Sequence, residues 1–317
     1  MSVIVTENLT RYYKDLCAVD HVDLEVGREI FGLLGPNGAG KSTIVKMLTT
    51  LLRPSDGRAC VCGHDVVKDA VRVRESISYV PQEMALDIKL TGRENVVLFA
   101  RLYGVPNARD RTDEALGLLG LADRADELVR GYSGGMRRRL ELAQALVHEP
   151  RVLFLDEPTL GLDVAAREKI WEHVHALKEK GMTIFMTTHY MDEADRYCDR
   201  VAIIDRGKIS AIGTPQGLKG EIGRSVVTAS VSGEPGAFSL EGVRLLKVDD
   251  HELVFMAGDG ADALAAISQE LKRQGLEIHS LSVRETSLDD VFLQKVGTPE
   301  DRSAFDGSKY RLMLRRR

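Results

Sequence analysis

Residues suited to binding phosphate occupy one short stretch near the beginning of the chain. Gly35 to Thr43 reads Gly-Pro-Asn-Gly-Ala-Gly-Lys-Ser-Thr and fits the phosphate-loop pattern G-x-x-x-x-G-K-[ST]. Its glycines let backbone N–H groups approach an anion, Lys41 can reach the β- and γ-phosphates, and the Ser42 hydroxyl can bind Mg²⁺. The stretch therefore indicates a nucleoside triphosphate site.

The segments on either side of this loop fit that role. Residues 30–34 are apolar and predict a buried strand, and residues 43–48 begin an apolar-periodic helix. A phosphate would lie at the helix N-terminus, where free N–H groups and the helix dipole favour negative charge. This context favours a phosphate site over a glycine-rich turn that matches the pattern by chance.

Polar residues follow three other predicted strands, at the point where each strand ends. Gln82 follows residues 76–80, Asp156 and Glu157 follow an apolar run, and His189 follows residues 182–188. The carboxyl ends of parallel strands meet at one edge of a sheet, so we expect these groups to lie beside the phosphate loop. One carboxylate there can hold Mg²⁺ and the other can polarise a water molecule.

A second glycine-rich helix start lies at Ser133-Gly134-Gly135, with Ser133 suited to cap the helix. Three arginines follow at 137–139, although the helix dipole disfavours cations in a first turn. We expect a nearby phosphate to account for them. The alternative is a capped helix with a basic first turn.

Two tyrosines precede the phosphate loop and are candidates for stacking on a base. Tyr12 and Tyr13 lie between two alternating segments, 3–8 and 18–26. Base–aromatic stacking is worth about 1–3 kcal/mol where it has been measured on nucleic acids. A half-buried strand tyrosine is an equally open interpretation of this spacing.

Composition narrows the class of protein. The 317 residues suffice for two modest domains or one large one, and 44% of them are hydrophobic. The net charge of −5 does not suggest a nucleic-acid partner.

The four cysteines form no C-x-x-C pair, and Cys60 and Cys62 fit a strand with buried thiols better than a metal site. Neither a secretory leader nor a run of about 20 apolar residues is found, so we expect a cytoplasmic protein. If it serves a membrane process, another polypeptide must supply the membrane part.

Thr214-Pro215 marks the expected domain boundary. Residues 1–214 should form the phosphate-binding domain, with a mostly helical insert at about 83–148. Residues 215–297 should form a small α+β domain. The tail, 298–317, is polar and basic; we expect it to be solvated, with contact to an anionic membrane surface as the alternative.

Taken together, the motifs of residues 3–213 resemble those of the ATP-binding subunit of ATP-binding cassette (ABC) transporters, in the family's order. Ser-Gly-Gly and Asp-Glu-Pro together with the phosphate loop make the match very specific. The resemblance implies an α/β fold, a P-loop NTPase core with a helical insert and a small C-terminal α+β domain. The matching segments are 32–43 (Walker A), 79–83 (Q-loop), 132–136 (signature), 153–158 (Walker B), 161–163 (D-loop) and 188–189 (switch histidine).

The resemblance also implies roles for single residues. Glu157 would be the general base, and Gln82 and His189 would sense the γ-phosphate. Tyr13 would stack on adenine, and Ser42, Gln82 and Asp156 would serve Mg²⁺. The remaining positions implied to bind ATP are Gly35, Pro36, Asn37, Gly38, Ala39, Gly40, Lys41, Ser42 and Thr43 in the same chain, with Ser133, Gly134, Gly135 and Asp163 at the nucleotide of a partner subunit.

The amino-acid sequences of the motifs are similar to those of daunorubicin-resistance exporter ATPases. Tyr132 and Met136 stand where Leu and Gln are usual in the signature, and Arg28 stands where Gly is usual. The resemblance implies an ATPase that drives export of a drug, antibiotic, lipid or other hydrophobic compound through a separate transmembrane permease. It implies a head-to-tail dimer on the cytoplasmic face of the membrane, for which we expect a homodimer and keep a heterodimer as the alternative. The alternatives are a ribosome- or DNA-associated ATPase, an importer ATPase, and a resistance module that hydrolyses ATP weakly.

Overall fold

The computed structural model describes residues 2–233, 235–249 and 252–296. The chain divides into two compact units, Met1–Ile212 and Gly213–Arg317. The tail predicted at 298–317 lies outside the described residues.

Strands and α-helices of the described residues build the first unit. The strands are β1 (Ile4–Tyr13), β2 (Leu16–Val26), β3 (Ile30–Leu34), β4 (Asp56–Val61), β5 (His64–Asp65), β6 (Ile77–Val80), β7 (Val152–Asp156), β8 (Thr183–Thr188), β9 (Arg200–Asp205) and β10 (Lys208–Gly213). The helices are α1 (Lys41–Leu48), α2 (Ala70–Ser76), α3 (Gly92–Leu102), α4 (Ala108–Leu118), α5 (Gly134–Leu146), α6 (Val164–Glu179) and α7 (Met191–Tyr197).

The strands form two sheets, of which the larger positions the candidate site. Its order is β10-β9-β3-β8-β7-β6, and the neighbouring pairs from β9 to β6 run parallel. Every residue of β3, β7 and β8 is buried, which accounts for the apolar residues at the centre of each strand. The carboxyl ends of β3, β8, β7 and β6 therefore meet along one edge, as the sequence predicts.

The smaller sheet, β2-β1-β4-β5, is antiparallel. Strand β1 extends through Tyr12 and Tyr13, which pair with Cys17 and Leu16 of β2. The sequence predicts a strand over residues 3–8 only, whereas the observed strand continues to the Lys14-Asp15 turn that closes this hairpin. The core between sheets and helices includes Val19, Phe31 and Met47.

Helix starts in this unit agree with their predicted caps. Thr91 and Glu94 form a capping box at α3, and the Ser133 hydroxyl accepts a hydrogen bond from the Met136 N–H at α5. Helix α1 begins at Lys41, two residues before the predicted start. No helix within the described ranges has the length and apolar character needed to cross a bilayer.

The second unit is a small α+β assembly with its own core. Its antiparallel sheet has the order β12 (Val243–Asp249), β13 (Glu252–Ala257), β11 (Ser225–Ser232) and β14 (Glu277–Glu285). Val227 and Phe255 of the sheet pack with Ile267 and Leu271 of the long helix. The helices are α8 (Pro215–Ile222), α9 (Gly260–Arg273) and α10 (Leu288–Val296).

Candidate active site

The phosphate loop is held from behind by β2 and by the turn between β9 and β10. Gly40 has φ +109°, and a Cβ there would lie 2.5 Å from the carbonyl oxygen of Ala18. The Gly207 N–H donates to the Ala39 carbonyl at 2.9 Å, and the Asp20 N–H donates to the Gly207 carbonyl at the same distance. A Cβ at Gly207 would also meet the Ala18 oxygen, at 2.9 Å. The loop conformation thus depends on two glycines that share one carbonyl.

Lys41 is buried beneath the loop. Its ammonium donates to the carbonyls of Gly35 at 2.8 Å and Pro36 at 3.1 Å. Burial lowers the pKa of Lys41, while the nearby carboxylates of Glu157 and Asp156 act in the opposite direction. A partly desolvated cation at a helix start is well suited to bind phosphate oxygens.

Asp156, at the end of β7, is surrounded by hydroxyl groups. It accepts hydrogen bonds from Thr187 of β8, from Ser42 of α1 at 3.5 Å, and from Tyr79 of β6 at 3.4 Å. Burial, reinforced by the Asp156 carboxylate, raises the pKa of Tyr79, so this phenol remains a donor. Ser42 and Asp156 therefore lie together as predicted, and they form the hydroxyl–carboxylate pair that can hold Mg²⁺ alongside phosphate oxygens and water.

The sequence alone does not identify Thr187 and Tyr79 as site residues. Thr187 lies directly beside Asp156 in the register of β7 and β8, and Tyr79 lies opposite Phe154. The only signal in the sequence is that polar residues stand near the ends of otherwise apolar strands. That signal identifies partners only once the strand order is known.

Glu157 and His189 approach each other at the same edge of the sheet. Glu157 Oε1 lies 3.2 Å from His189 Nδ1, although the two groups are not aligned as a hydrogen bond. The proximity of His189 lowers the pKa of Glu157 and outweighs burial, with a smaller contribution from Lys41. Glu157 is thus an ionised, largely buried carboxylate that can accept a proton from water.

The backbone of Glu157 adopts an uncommon conformation. Its φ is +49°, in the left-handed region, and its N–H donates to the carbonyl and to the hydroxyl of Thr187 at 3.1 and 3.2 Å. A non-glycine residue held there stores strain, which is a frequent feature of functional positions.

Gln82 and Tyr13 are not joined to these groups by described contacts. Gln82 is exposed, two residues beyond β6, and none of the described residues forms a hydrogen bond with its side chain. Tyr13 is 42% exposed, and the Arg11 guanidinium lies 5.0 Å from its ring centroid. Topology places Gln82 near the site edge, and the exposed Tyr13 ring is available for stacking.

The signature segment and Asp163 lie at two helix starts that pack against each other. Ser133 and Gly134 are exposed at the start of α5. Asp163 caps α6 by accepting a hydrogen bond from the Ala166 N–H at 2.8 Å. A Cβ at Gly135 would lie 2.8 Å from the Cβ of Ala166, so this glycine permits the close packing. Among the described contacts, none joins Ser133 or Asp163 to the phosphate loop of the same chain.

The arginines that follow the signature have a different role from the one predicted. The guanidinium groups of Arg137, Arg138 and Arg139 all donate to backbone carbonyls of this chain. Arg138 is buried, with 4% exposure. The expectation that a nearby phosphate accounts for these cations is therefore wrong for Arg138, because its donors are directed into the protein.

Tyr132 shows how the signature accommodates its unusual first residue. The side chain is buried, and its hydroxyl donates to the Arg124 carbonyl at 2.6 Å. A Cβ on Gly92, the first residue of α3, would lie 2.4 Å from that hydroxyl. Glycine at 92 leaves the space that the phenol occupies.

Comparison with protein families gives two matches. Residues 19–160 match the family described as "ABC transporter", and residues 213–296 match "ATP-binding protein DrrA1-3-like, C-terminal domain". The chain is 44% identical over 305 residues to the daunorubicin resistance ATP-binding protein DrrA3 of Streptomyces coeruleorubidus, covering 93% of this chain and 96% of that one. It is 38% identical over 315 residues to the doxorubicin resistance ATP-binding protein DrrA of Mycobacterium tuberculosis, with 95% of each chain covered.

Two solved structures show the same core. CbiO1 from Clostridium perfringens, described as part of the ABC transporter complex cbiONQ, superposes with a TM-score of 0.64 at 30% identity, covering 68% of this chain and 90% of that one. The ATP-binding cassette MJ0796, in a dimeric post-hydrolysis state bound to ADP and Pi, gives a TM-score of 0.61 at 26% identity, with 67% and 98% coverage.

Proposed function

This chain belongs to the ABC transporter family as an ATP-binding, ATP-hydrolysing subunit, and from that premise we propose that it powers drug or antibiotic efflux through a separate permease. The similarity to drug-resistance ATP-binding proteins extends through the second unit, beyond the nucleotide-binding core. That extent supports export over import, and over roles at the ribosome or on DNA. The substrate class would be an antibiotic, lipid or other hydrophobic compound.

The chemistry we propose rests on one observation, the contact between Glu157 and His189 beside Lys41. The ionised Glu157 carboxylate at this edge can take a proton from the attacking water. His189 would orient the carboxylate and contact the γ-phosphate. Lys41 and the loop N–H groups would bind the phosphates. Ser42, Asp156 and Gln82 would hold Mg²⁺, which supplies charge neutralisation on the transferring phosphoryl group.

We infer a head-to-tail homodimer from the exposed signature segment. Ser133 and Gly134 present a capped helix start that the described contacts do not connect to the chain's own phosphate loop. A second copy would bring this helix start, with Gly135 and Asp163 beside it, onto the partner's nucleotide. The dimeric state of a solved relative supports this arrangement.

The permease would dock on exposed apolar side chains that follow Gln82 and lie on α3. Met84 and Ile88 are each 51% exposed, Leu98 is 48% exposed, and Leu102 is 73% exposed. Such residues are costly to leave in water and mark a partner surface when they cluster. Docking there would hold the subunit at the cytoplasmic face of the membrane.

The first test compares ATPase activity of the wild type, Glu157→Gln and the control Glu179→Gln, which changes an exposed acid at the end of α6. We expect Glu157→Gln to lose kcat by at least about 10³-fold while still binding Mg-ATP, since the general base is removed. Gel filtration in Mg-ATP should show Glu157→Gln as a dimer. A Glu157→Gln variant that turns over as fast as the control would exclude Glu157 as the base.

Export is tested with the permease present. Membrane vesicles containing the complex should accumulate a hydrophobic drug when the ATPase faces the outer medium and Mg-ATP is added. Accumulation that persists with Glu157→Gln, or movement of the drug in the opposite direction, would contradict ATP-driven export.

A further inference from the structure

We propose that Arg138, paired with Glu141, is a positioning residue that fixes the catalytic base and the Q-loop to the signature helix. This inference rests on the roles proposed above for Gln82, Glu157 and the signature segment. It concerns side chains that the motifs do not assign.

The Arg138 guanidinium reaches the backbone on both sides of Glu157. Its Nη2 donates to the Asp156 carbonyl at 3.2 Å, and its Nε donates to the Pro158 carbonyl at 2.9 Å. Glu157 lies between these two anchors, in the left-handed conformation described above. The planar fork of arginine can hold two carbonyls at a fixed spacing, whereas an ammonium cannot.

The same side chain reaches the start of the Q-loop. Arg138 Nη1 donates to the Pro81 carbonyl at 2.8 Å, immediately before Gln82. It also donates to Glu141 Oε2 at 2.9 Å, one turn further along α5. The other carboxylate oxygen of Glu141 accepts the Ala85 N–H at 2.9 Å. Gln82 therefore lies between two backbone positions, 81 and 85, that the pair holds.

The pair is buried, and this makes its geometry unusually restrictive. The side chains of Arg138 and Glu141 are 5% and 4% exposed. Burying two charges is costly unless their hydrogen bonds are satisfied, so replacement by apolar residues is often no worse for stability. A buried pair whose hydrogen bonds hold two other segments, 81–85 and 156–158, is better explained by the positions it fixes than by stability.

A connection between neighbouring subunits follows from this arrangement. Arg138 lies five residues after Ser133, on the helix whose start would bind the partner's ATP. A small movement of α5 would displace the Asp156, Pro158 and Pro81 carbonyls together. ATP binding at one nucleotide site would thus change the positions of the catalytic base and the Q-loop at the other site, through the Arg138 guanidinium.

The test compares Arg138→Lys with Arg139→Lys, a control from the same helix. Arg139 donates to the Leu119 and Gly120 carbonyls, away from Glu157 and Gln82. We expect Arg138→Lys to lower kcat on the order of 100-fold, since misplaced catalytic groups cost about that much. KM and the number of ATP molecules bound per chain should stay at wild-type values. A wild-type kcat in Arg138→Lys, or a loss explained by fewer binding-competent molecules, would overturn the proposal.

Hydrogen exchange gives a readout that does not depend on turnover. The amides of Ala85 and Glu157 should exchange faster in Arg138→Lys than in wild type, and Arg139→Lys should leave both unchanged. If wild type bound ATP without hydrolysing it, the proposed function would fail, whereas unchanged exchange at these two amides in Arg138→Lys would specifically reject the positioning role.

A charge-free variant separates positioning from folding. Arg138→Met combined with Glu141→Leu leaves no unpaired buried charge, so we expect the variant to fold, with a melting temperature lowered only by the loss of the hydrogen bonds to the Pro81, Asp156 and Pro158 carbonyls and the Ala85 N–H. Its kcat should nevertheless stay as low as that of Arg138→Lys. Wild-type turnover in this double variant would show that the pair serves no positioning purpose.

Discussion

Asp156 is held by side chains from two neighbouring strands and one helix, and this sets what it can bind. Thr187 and Tyr79 donate to its oxygens from inside the protein, and Ser42 approaches from the phosphate loop. Hydrogen bonds from several directions fix the orientation of the carboxylate. The oxygens are thus arranged before any cation or nucleotide arrives.

His148 gives a prediction about pH at the scale of a single residue. Its Nε2 lies 3.0 Å from the Ile77 carbonyl, and its ring stacks on Tyr103 with centroids 3.9 Å apart. Burial lowers the pKa of His148, against the opposing effect of that carbonyl. The unfolded chain therefore binds a proton more readily than the folded one, and stability falls as pH drops below about 6.5.

We expect His148→Phe, which keeps the stacked ring, to show a smaller loss of melting temperature than wild type between neutral and mildly acidic pH. Part of the loss should remain, because burial also lowers the pKa of His173. Thermal melts at several pH values measure the effect, with His279→Gln as an exposed control. Equal slopes for His148→Phe and wild type would contradict the assignment.

At the scale of elements, the start of α3 and the segment before α5 depend on each other. Alanine ordinarily stabilises a helix by about 1 kcal/mol relative to glycine. At Gly92 we expect the opposite sign, a loss of about 1–3 kcal/mol, because the new methyl group would displace the Tyr132 hydroxyl.

Tyr132→Leu removes that obstacle, so Gly92→Ala should cost much less when combined with Tyr132→Leu than in the wild-type chain. Urea unfolding of both single variants and of the double variant gives the interaction energy directly. Additive losses would mean that the two positions do not share the space described here.

Local sequence predicts the elements that carry the site better than it predicts the partners of each residue. The phosphate loop, the caps at Thr91 and Ser133 and the apolar strands are set by residues within one or two turns of one another. Arg138 could not be interpreted in this way, because its acceptors at Pro81 and Pro158 belong to other segments. Its place near a glycine-rich helix start suggests a phosphate ligand, whereas its burial among backbone carbonyls is decided by the fold.

The roles assigned to single residues remain predictions, and the geometry supports them unequally. Ser42, Lys41, Asp156, Glu157 and His189 lie together at one sheet edge. Gln82 and Tyr13 depend on topology and exposure alone. Ser133 and Asp163 depend on a second copy of the chain.

At the scale of the whole molecule, each unit has a core of its own. The buried cluster around Phe31 and Phe154 draws only on the first unit, and the cluster around Phe255 draws only on the second. All residues proposed to bind ATP lie in the first unit. A fragment of residues 1–214 should therefore unfold cooperatively and bind Mg-ATP as tightly as the full chain.

Calorimetry and equilibrium ATP binding on that fragment check this prediction, with Lys41→Ala in the fragment as the control that should not bind. A fragment that aggregates, or that unfolds without a cooperative transition, would show that the first unit needs the second in order to fold.

The carbonyl of Ala18 limits how the sequence can diverge during evolution. Gly40 and Gly207 both pack against it, although they lie far apart in the chain. Surface turns ordinarily tolerate changes of length and composition among descendants of a gene. The turn at Gly207 is an exception, since a residue inserted or enlarged there would press on the phosphate loop from behind. Lineages that keep ATP hydrolysis should therefore keep both glycines and the length of this turn, even where neighbouring surface positions have drifted freely.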